Sequence, residues 1–169
     1  MGVEPMSEKE FISPSVGPVT FDEMFLEIMK YIGMETDMSY KLIVGTDSHL
    51  REDEFVFVVA VIIHRIGKGA RYFYHRQRLQ HIHSLRQKIF YEASLSLDTA
   101  GRLAAKLAAN GLDDRFNNLD VEIHLDVGRD GNTRDLIREV VGMVAGSGFS
   151  PIIKPDSYGA SKVADKYTK

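Results

Sequence analysis

Three β-branched runs in succession, joined by connections too short to hold a helix, constrain the fold more than any other feature of the chain. Lys41 to Asp47 reads as a buried strand, Glu54 to Ile66 as a long second strand and Ala70 to Leu79 as a third. Gly67 and Gly69 mark the second connection as a hairpin, and the link from Asp47 to Phe55 is short and polar. The first three strands are therefore expected to form an antiparallel meander. The period then changes. From about Ser84 to Asn110, residues Ile89, Ala93, Leu97, Ala100, Ala104 and Leu107 form a helical stripe, with Gly111 as a stop. Strand and helix alternate afterwards: Leu119 to Leu125, Thr133 to Ala145, Ser150 to Lys154, and a last helix from about Gly159. A parallel return needs a dozen or more residues of crossover. The order βββ-α-β-α-β-α thus predicts an α/β fold with a mixed five-stranded sheet, three strands antiparallel and then two parallel, flanked by helices.

The residues before the first strand read as an extension over 1–39, leaving the main domain at 40–169. Pro5, Pro14 and Pro18 punctuate an irregular segment that enters one helix, where Thr20 and Glu23 have the spacing of a capping box and Val19 and Met24 that of a hydrophobic staple. Phe21, Met24, Phe25, Ile28 and Ile32 repeat at helical spacing and predict packing against the rest of the domain. A length of 169 residues with 44% hydrophobic and 27% charged content is that of one globular domain. No run approaches the roughly 18 apolar residues of a membrane span, and the acidic, polar start does not resemble a secretory signal, so a cytoplasmic protein is expected. There is no cysteine. Disulfides, thiolate zinc sites and a cysteine nucleophile are excluded, and any metal must sit on oxygen or imidazole.

Carboxylates occupy places with little structural excuse. Asp47 follows the apolar run Leu42 to Val44, and Asp126 follows the run Val121 to Leu125, so each is expected at the end of a buried strand. In an open α/β sheet the crevice beyond the strand ends is where ligands bind. Two carboxylates side by side repel, and a divalent cation resolves the repulsion; magnesium suits such a site because it prefers oxygen and retains waters. Taken alone, Asp47 with Ser48, or Asp126 with Asn132, could equally build a turn or cap a helix. On the long helix, Glu92 lies at the edge of the apolar stripe and can reach the sheet edge, whereas Asp98 projects from nearly the opposite face. A solvated Glu92 paired with Lys88 at i−4 is the competing reading. Asp130 and Asp156, in loops beside strand ends, are further possible ligands. Asp165 lies off the stripe of Ala160, Val163, Ala164 and Tyr167, and position alone makes it a surface residue.

A net charge of −3 offers nucleic acid no global attraction, but the basic residues are segregated. Between Phe55 and Tyr91 there is no Asp or Glu, and the stretch carries Arg65, Lys68, Arg71, Arg76, Arg78, Arg86 and Lys88 with Tyr72, Phe73 and Tyr74 interleaved. A solvated face and a phosphate-binding surface are both consistent with that run. His81 and His83 lack the spacing of a zinc site and fit loop or phosphate-contact roles. His49, two residues beyond Asp47, could orient water or substrate.

Strand order and acid placement together resemble the ribonuclease H-like superfold. The carrying segments are Thr46-Asp47-Ser48 on the first strand, Tyr91-Glu92-Ala93 on the first long helix, His124-Leu125-Asp126 at the end of the fourth strand, and Val163-Ala164-Asp165 on the final helix. The Leu42 to His49 segment with the helix starting at Thr20 is similar to a little-characterised bacterial family of ribonuclease H-like proteins. The glycine that often follows the first acid in ribonuclease H is missing, and no separate basic handle is visible. The resemblance implies two-metal phosphodiester hydrolysis of RNA, DNA or a hybrid with Mg²⁺ or Mn²⁺. Asp47 would bridge the ions, Glu92 and Asp126 would ligate one and Asp165 the other, with the ions about 3.5–4 Å apart. Arg71, Arg76, Arg78, Arg86 and Lys88, with Lys154 and Lys162, would then hold the phosphate backbone. Two rivals keep the fold: a nucleic-acid-binding module without chemistry, and a metal-dependent phosphoesterase of small molecules.

Overall fold

In the computed structural model, residues 8–79, 81–110 and 119–157 are described. Three long strands dominate: β3 (Tyr40–Arg51), β4 (Glu54–Arg65) and β5 (Ala70–Leu79). They form the expected antiparallel meander, with Asp47 opposite Val58 and Val58 opposite Arg76. Helix α2 (Leu85–Ala109) crosses to β6 (Leu119–His124), which lies parallel to β3; α3 (Ile137–Gly146), preceded by a 3-10 turn at Arg134–Leu136, crosses to β7 (Ser150–Ile152), parallel to β6. The five expected strands thus stand in the spatial order β5-β4-β3-β6-β7.

Two further strands make the sheet seven-stranded. Phe11–Ser13 (β1) and Gly17–Val19 (β2) form a hairpin that docks on the β5 edge through Ile12 opposite Tyr74. Each is three residues long, and Pro18 occupies the outer one, where a missing N–H disrupts no inner ladder. Too short to show a period and punctuated by proline, the pair reads in sequence as irregular chain.

Helix α1 (Phe21–Met34) starts as its capping box dictates: the Glu23 amide donates to Thr20 Oγ1 at 3.0 Å, and the Thr20 amide donates to Glu23 Oε1 at 3.2 Å. Met24, Phe25, Ile28 and Ile32 join the main hydrophobic cluster together with Leu42, Val44, Val59, Val61, Ile89, Ala93, Leu103 and Ile123. That cluster draws on both 1–39 and 40–169, and lies between one face of the sheet and the helices. Arg65, counted in sequence among the basic block, is buried instead. Its guanidinium stacks on the Tyr31 ring at 4.0 Å, donates to the Tyr31 carbonyl at 2.9 Å and to Tyr40 Oη at 3.1 Å, and so ties α1 to the meander. Among the described residues, no helix is long and apolar enough to cross a membrane.

Candidate metal centre

The parallel ladder between β3 and β6 ends at the pair Gly45 and His124. Asp47 and Asp126 each stand two residues beyond it, and so come to lie side by side. Asp126 follows the end of its strand as expected. Asp47 does not: β3 continues to Arg51, still paired with β4, so Asp47 is held within a strand whose β6 side has just opened. A strand interior fixes it more firmly than a loop would.

Helix α2 brings the third acid. Its buried face comprises Ile89, Glu92, Ala93, Ser96, Thr99, Ala100, Leu103 and Leu107, so Glu92 belongs to that face rather than to its edge. The small polar residues Ser96 and Thr99 share the packed surface, which a stripe counted from apolar residues alone displaces. Two contacts set the register of α2 on β3. Thr46 Oγ1 and Ser96 Oγ are hydrogen-bonded at 2.8 Å, and Ser48 Oγ donates to Glu92 Oε1 at 3.0 Å. Ser48, which in sequence reads only as a turn former, is thus the hydroxyl that orients the helical carboxylate.

Oxygens of Asp47, Glu92 and Asp126 lie within 4.8 Å of one another. Two of the three, Glu92 and Asp126, also line a cavity of about 10 Å³ together with Thr46 and Ser96 among others, about the room of a single water-sized particle. Glu92 is only 4% exposed, and its Oε2 is buried with no hydrogen-bond partner. An orphan carboxylate oxygen is costly, and a cation is the partner that would satisfy it. Burial pushes the Glu92 carboxyl up to about 8; the neighbouring Lys88 opposes this, and Asp47 and Asp126 add to it. Burial, with the charge of Asp126, also raises Asp47. An all-oxygen set of hard, mutually repelling donors fits Mg²⁺ or Mn²⁺. No histidine belongs to this group among the described residues.

Basic side chains surround the acids. Lys88 Nζ lies 3.8 Å from Glu92, Lys154 Nζ lies 2.6 Å from Asp126, and His49 Nε2 lies 3.7 Å from Asp47. The remaining basic candidates do not share one surface. Along β5, Arg71 falls on the side of α1, its guanidinium 4.9 Å from the Tyr31 ring centroid, while Arg76 and Arg78 alternate onto the Asp47 face. Arg78 pairs with Glu54 at 3.6 Å, and Arg86 is held by Glu139 of α3. Asp130 and Asp156 are exposed and stand outside the acidic group. Asp165, Lys162 and the expected final helix lie outside the described residues.

A mixed sheet in this order, with acids on the adjacent strands β3 and β6 or just beyond them and on the helix between, defines a ribonuclease H-like architecture. The Ribonuclease H-like family model matches residues 23–169, and the chain belongs to that family. It is also 34% identical over 171 residues to a protein of Bacillus subtilis (strain 168) named "Uncharacterized protein YkuK", an alignment covering 94% of this chain and 96% of the relative. No solved structure matches.

Proposed function

We propose that the protein hydrolyses phosphodiester bonds of nucleic acid at a divalent-metal centre formed by Asp47, Glu92 and Asp126. The observation that carries the reading is the convergence of three carboxylates from β3, α2 and the end of β6, one with a buried, unpartnered oxygen. Mg²⁺ or Mn²⁺, two ions with Asp165 as the further ligand by family likeness, would supply Lewis-acid activation of water and neutralise charge on the phosphoryl group. Water oxygen bonds to phosphorus as the bond to the 3′ oxygen breaks, and the proton lost by water is returned through solvent to that oxygen. The products carry 5′-phosphate and 3′-hydroxyl ends.

The chain's own residues prepare this step. Ser48 fixes the Glu92 carboxylate, and Lys88 offsets part of its charge. His49, whose Nε2 lies 3.7 Å from Asp47, would orient a water or a phosphate oxygen. Arg76 stands two strands from Asp47 on the same face, roughly 10 Å across the sheet, about the reach of the next phosphates of a bound strand.

The test compares single strands, duplex DNA, an RNA–DNA hybrid and a nucleotide monoester, each with Mg²⁺ or Mn²⁺. Polymer cleavage that disappears with EDTA and in both Asp47→Asn and Asp126→Asn is expected. Cleavage that survives both substitutions refutes the site, and turnover of the monoester alone refutes the polymer substrate.

A further inference from the structure

Lys154 is unusual among the basic residues because the fold holds its backbone and stem against the segment that follows Asp126. Its amide donates to the Val127 carbonyl at 2.9 Å, which locks it beside the segment just after Asp126. Its aliphatic stem lies over Gly128: a Cβ built there would sit 3.2 Å from Lys154 Cβ and 3.5 Å from Cδ. The Gly128 amide is itself fixed by donating to Thr133 Oγ1 at 3.0 Å. At the end of this cradle Nζ meets Asp126 Oδ1 at 2.6 Å, while 54% of the side chain stays open to solvent.

The two lysines at the centre therefore differ. Lys88 is 22% exposed and held on the helix that carries Glu92. Lys154 combines a carboxylate contact with an open outer side, so its ammonium can leave Asp126 without unpacking anything. A divalent ion on Asp126 and an ammonium on the same oxygen repel each other.

We infer that Lys154 serves two partners in turn: it neutralises Asp126 until a divalent ion binds, then turns outward to hold a phosphate oxygen of the nucleic acid. This role rests on the metal-centre reading and adds to it that the lysine which holds phosphate first competes with the metal for Asp126.

The role predicts opposite signs in two binding experiments on the full chain, neither of which needs turnover. In Lys154→Met, Mn²⁺ measured by calorimetry without nucleic acid binds about two- to fivefold tighter, as expected for loss of a partly exposed competing ion pair. In Ca²⁺, the variant binds a fluorescent oligonucleotide about tenfold more weakly, read on the tightest of single-stranded RNA, duplex DNA and an RNA–DNA hybrid. The slope of log affinity against log salt falls by about one phosphate contact. Lys154→Arg retains most of the oligonucleotide affinity. Gly128→Ala, which presses on the stem, shifts both affinities in the same directions by less. Unchanged or weaker Mn²⁺ binding in Lys154→Met overturns the competition, and unchanged oligonucleotide affinity and salt slope overturn the phosphate contact. If the unsubstituted protein binds no Mn²⁺, the metal centre itself falls, and this role with it.

Discussion

Replacing Glu92 by Gln is expected to stabilise the metal-free protein, and to do so only as pH rises. The carboxyl is buried and held near 8, against an ordinary value of 4.5. A carboxyl raised in the folded state costs nothing below its unfolded value, costs about 1.4 kcal/mol for each pH unit above it, and levels off above its folded value. The cost in the unsubstituted protein therefore grows from pH 4.5 and approaches about 5 kcal/mol near pH 8 to 9. Gln has nearly the same shape and keeps an oxygen to accept from the Ser48 hydroxyl, now 3.0 Å from Glu92. Urea melts in EDTA should coincide for the two proteins at pH 4 and diverge above it. The variant should gain about 3–5 kcal/mol at pH 8.5, or about 10 °C in Tm for a chain of this size. Because metal requires the ionised carboxylate, Mn²⁺ binding to the unsubstituted protein at pH 7 should release close to one proton. Its affinity should strengthen up to about pH 8, a rise absent in Glu92→Gln. Parallel stability curves for the two proteins from pH 4 to 9 would refute the buried-carboxylate reasoning.

Three other perturbations are equally specific. Thr46→Val leaves the Ser96 hydroxyl without its buried 2.8 Å partner and should cost about 1–2 kcal/mol in denaturant melts, whereas adding Ser96→Ala should recover part of that loss. Gly69→Ala forces a left-handed residue (φ +98°) and brings a Cβ to 3.3 Å from Tyr31 Oη, so it should destabilise the β4–β5 hairpin by about 1–2 kcal/mol. Asp126→Asn removes a charge that raises Asp47; carbon-detected NMR titration of the metal-free variant should place the Asp47 carboxyl lower than in the unsubstituted protein.

The meander and the two parallel returns were legible because long β-branched runs and a 25-residue helix leave few ways to connect. The hairpin of β1 and β2 was not, since three-residue strands gain their definition from the β5 edge they dock on rather than from local pattern. Asp126 could be read from the end of its apolar run. Asp47 could be read as a candidate site residue, but not as the interior of a strand continuing to Arg51, because the polar residues after it look like a turn until their pairing with β4 is seen. Glu92 was reachable by helix geometry. Its depth was not, because Ser96 and Thr99 are buried by contacts with β3 that no periodicity of apolar residues records. The basic block reads as one surface along the chain, yet strand alternation sends Arg71 and Arg76 to opposite faces. The pairing of Lys154 with Asp126 joins segments after two different strands and depends on Gly128, a contact without a local signature.

A divalent cation held by Asp47, Glu92 and Asp126 is the centre of the proposed chemistry. Anomalous diffraction from a crystal soaked in Mn²⁺ tests that most directly. A peak among the three carboxylates, absent from Asp47→Asn crystals soaked alike, is the expected result; a well-ordered acidic cluster with no peak at saturating Mn²⁺ would contradict it.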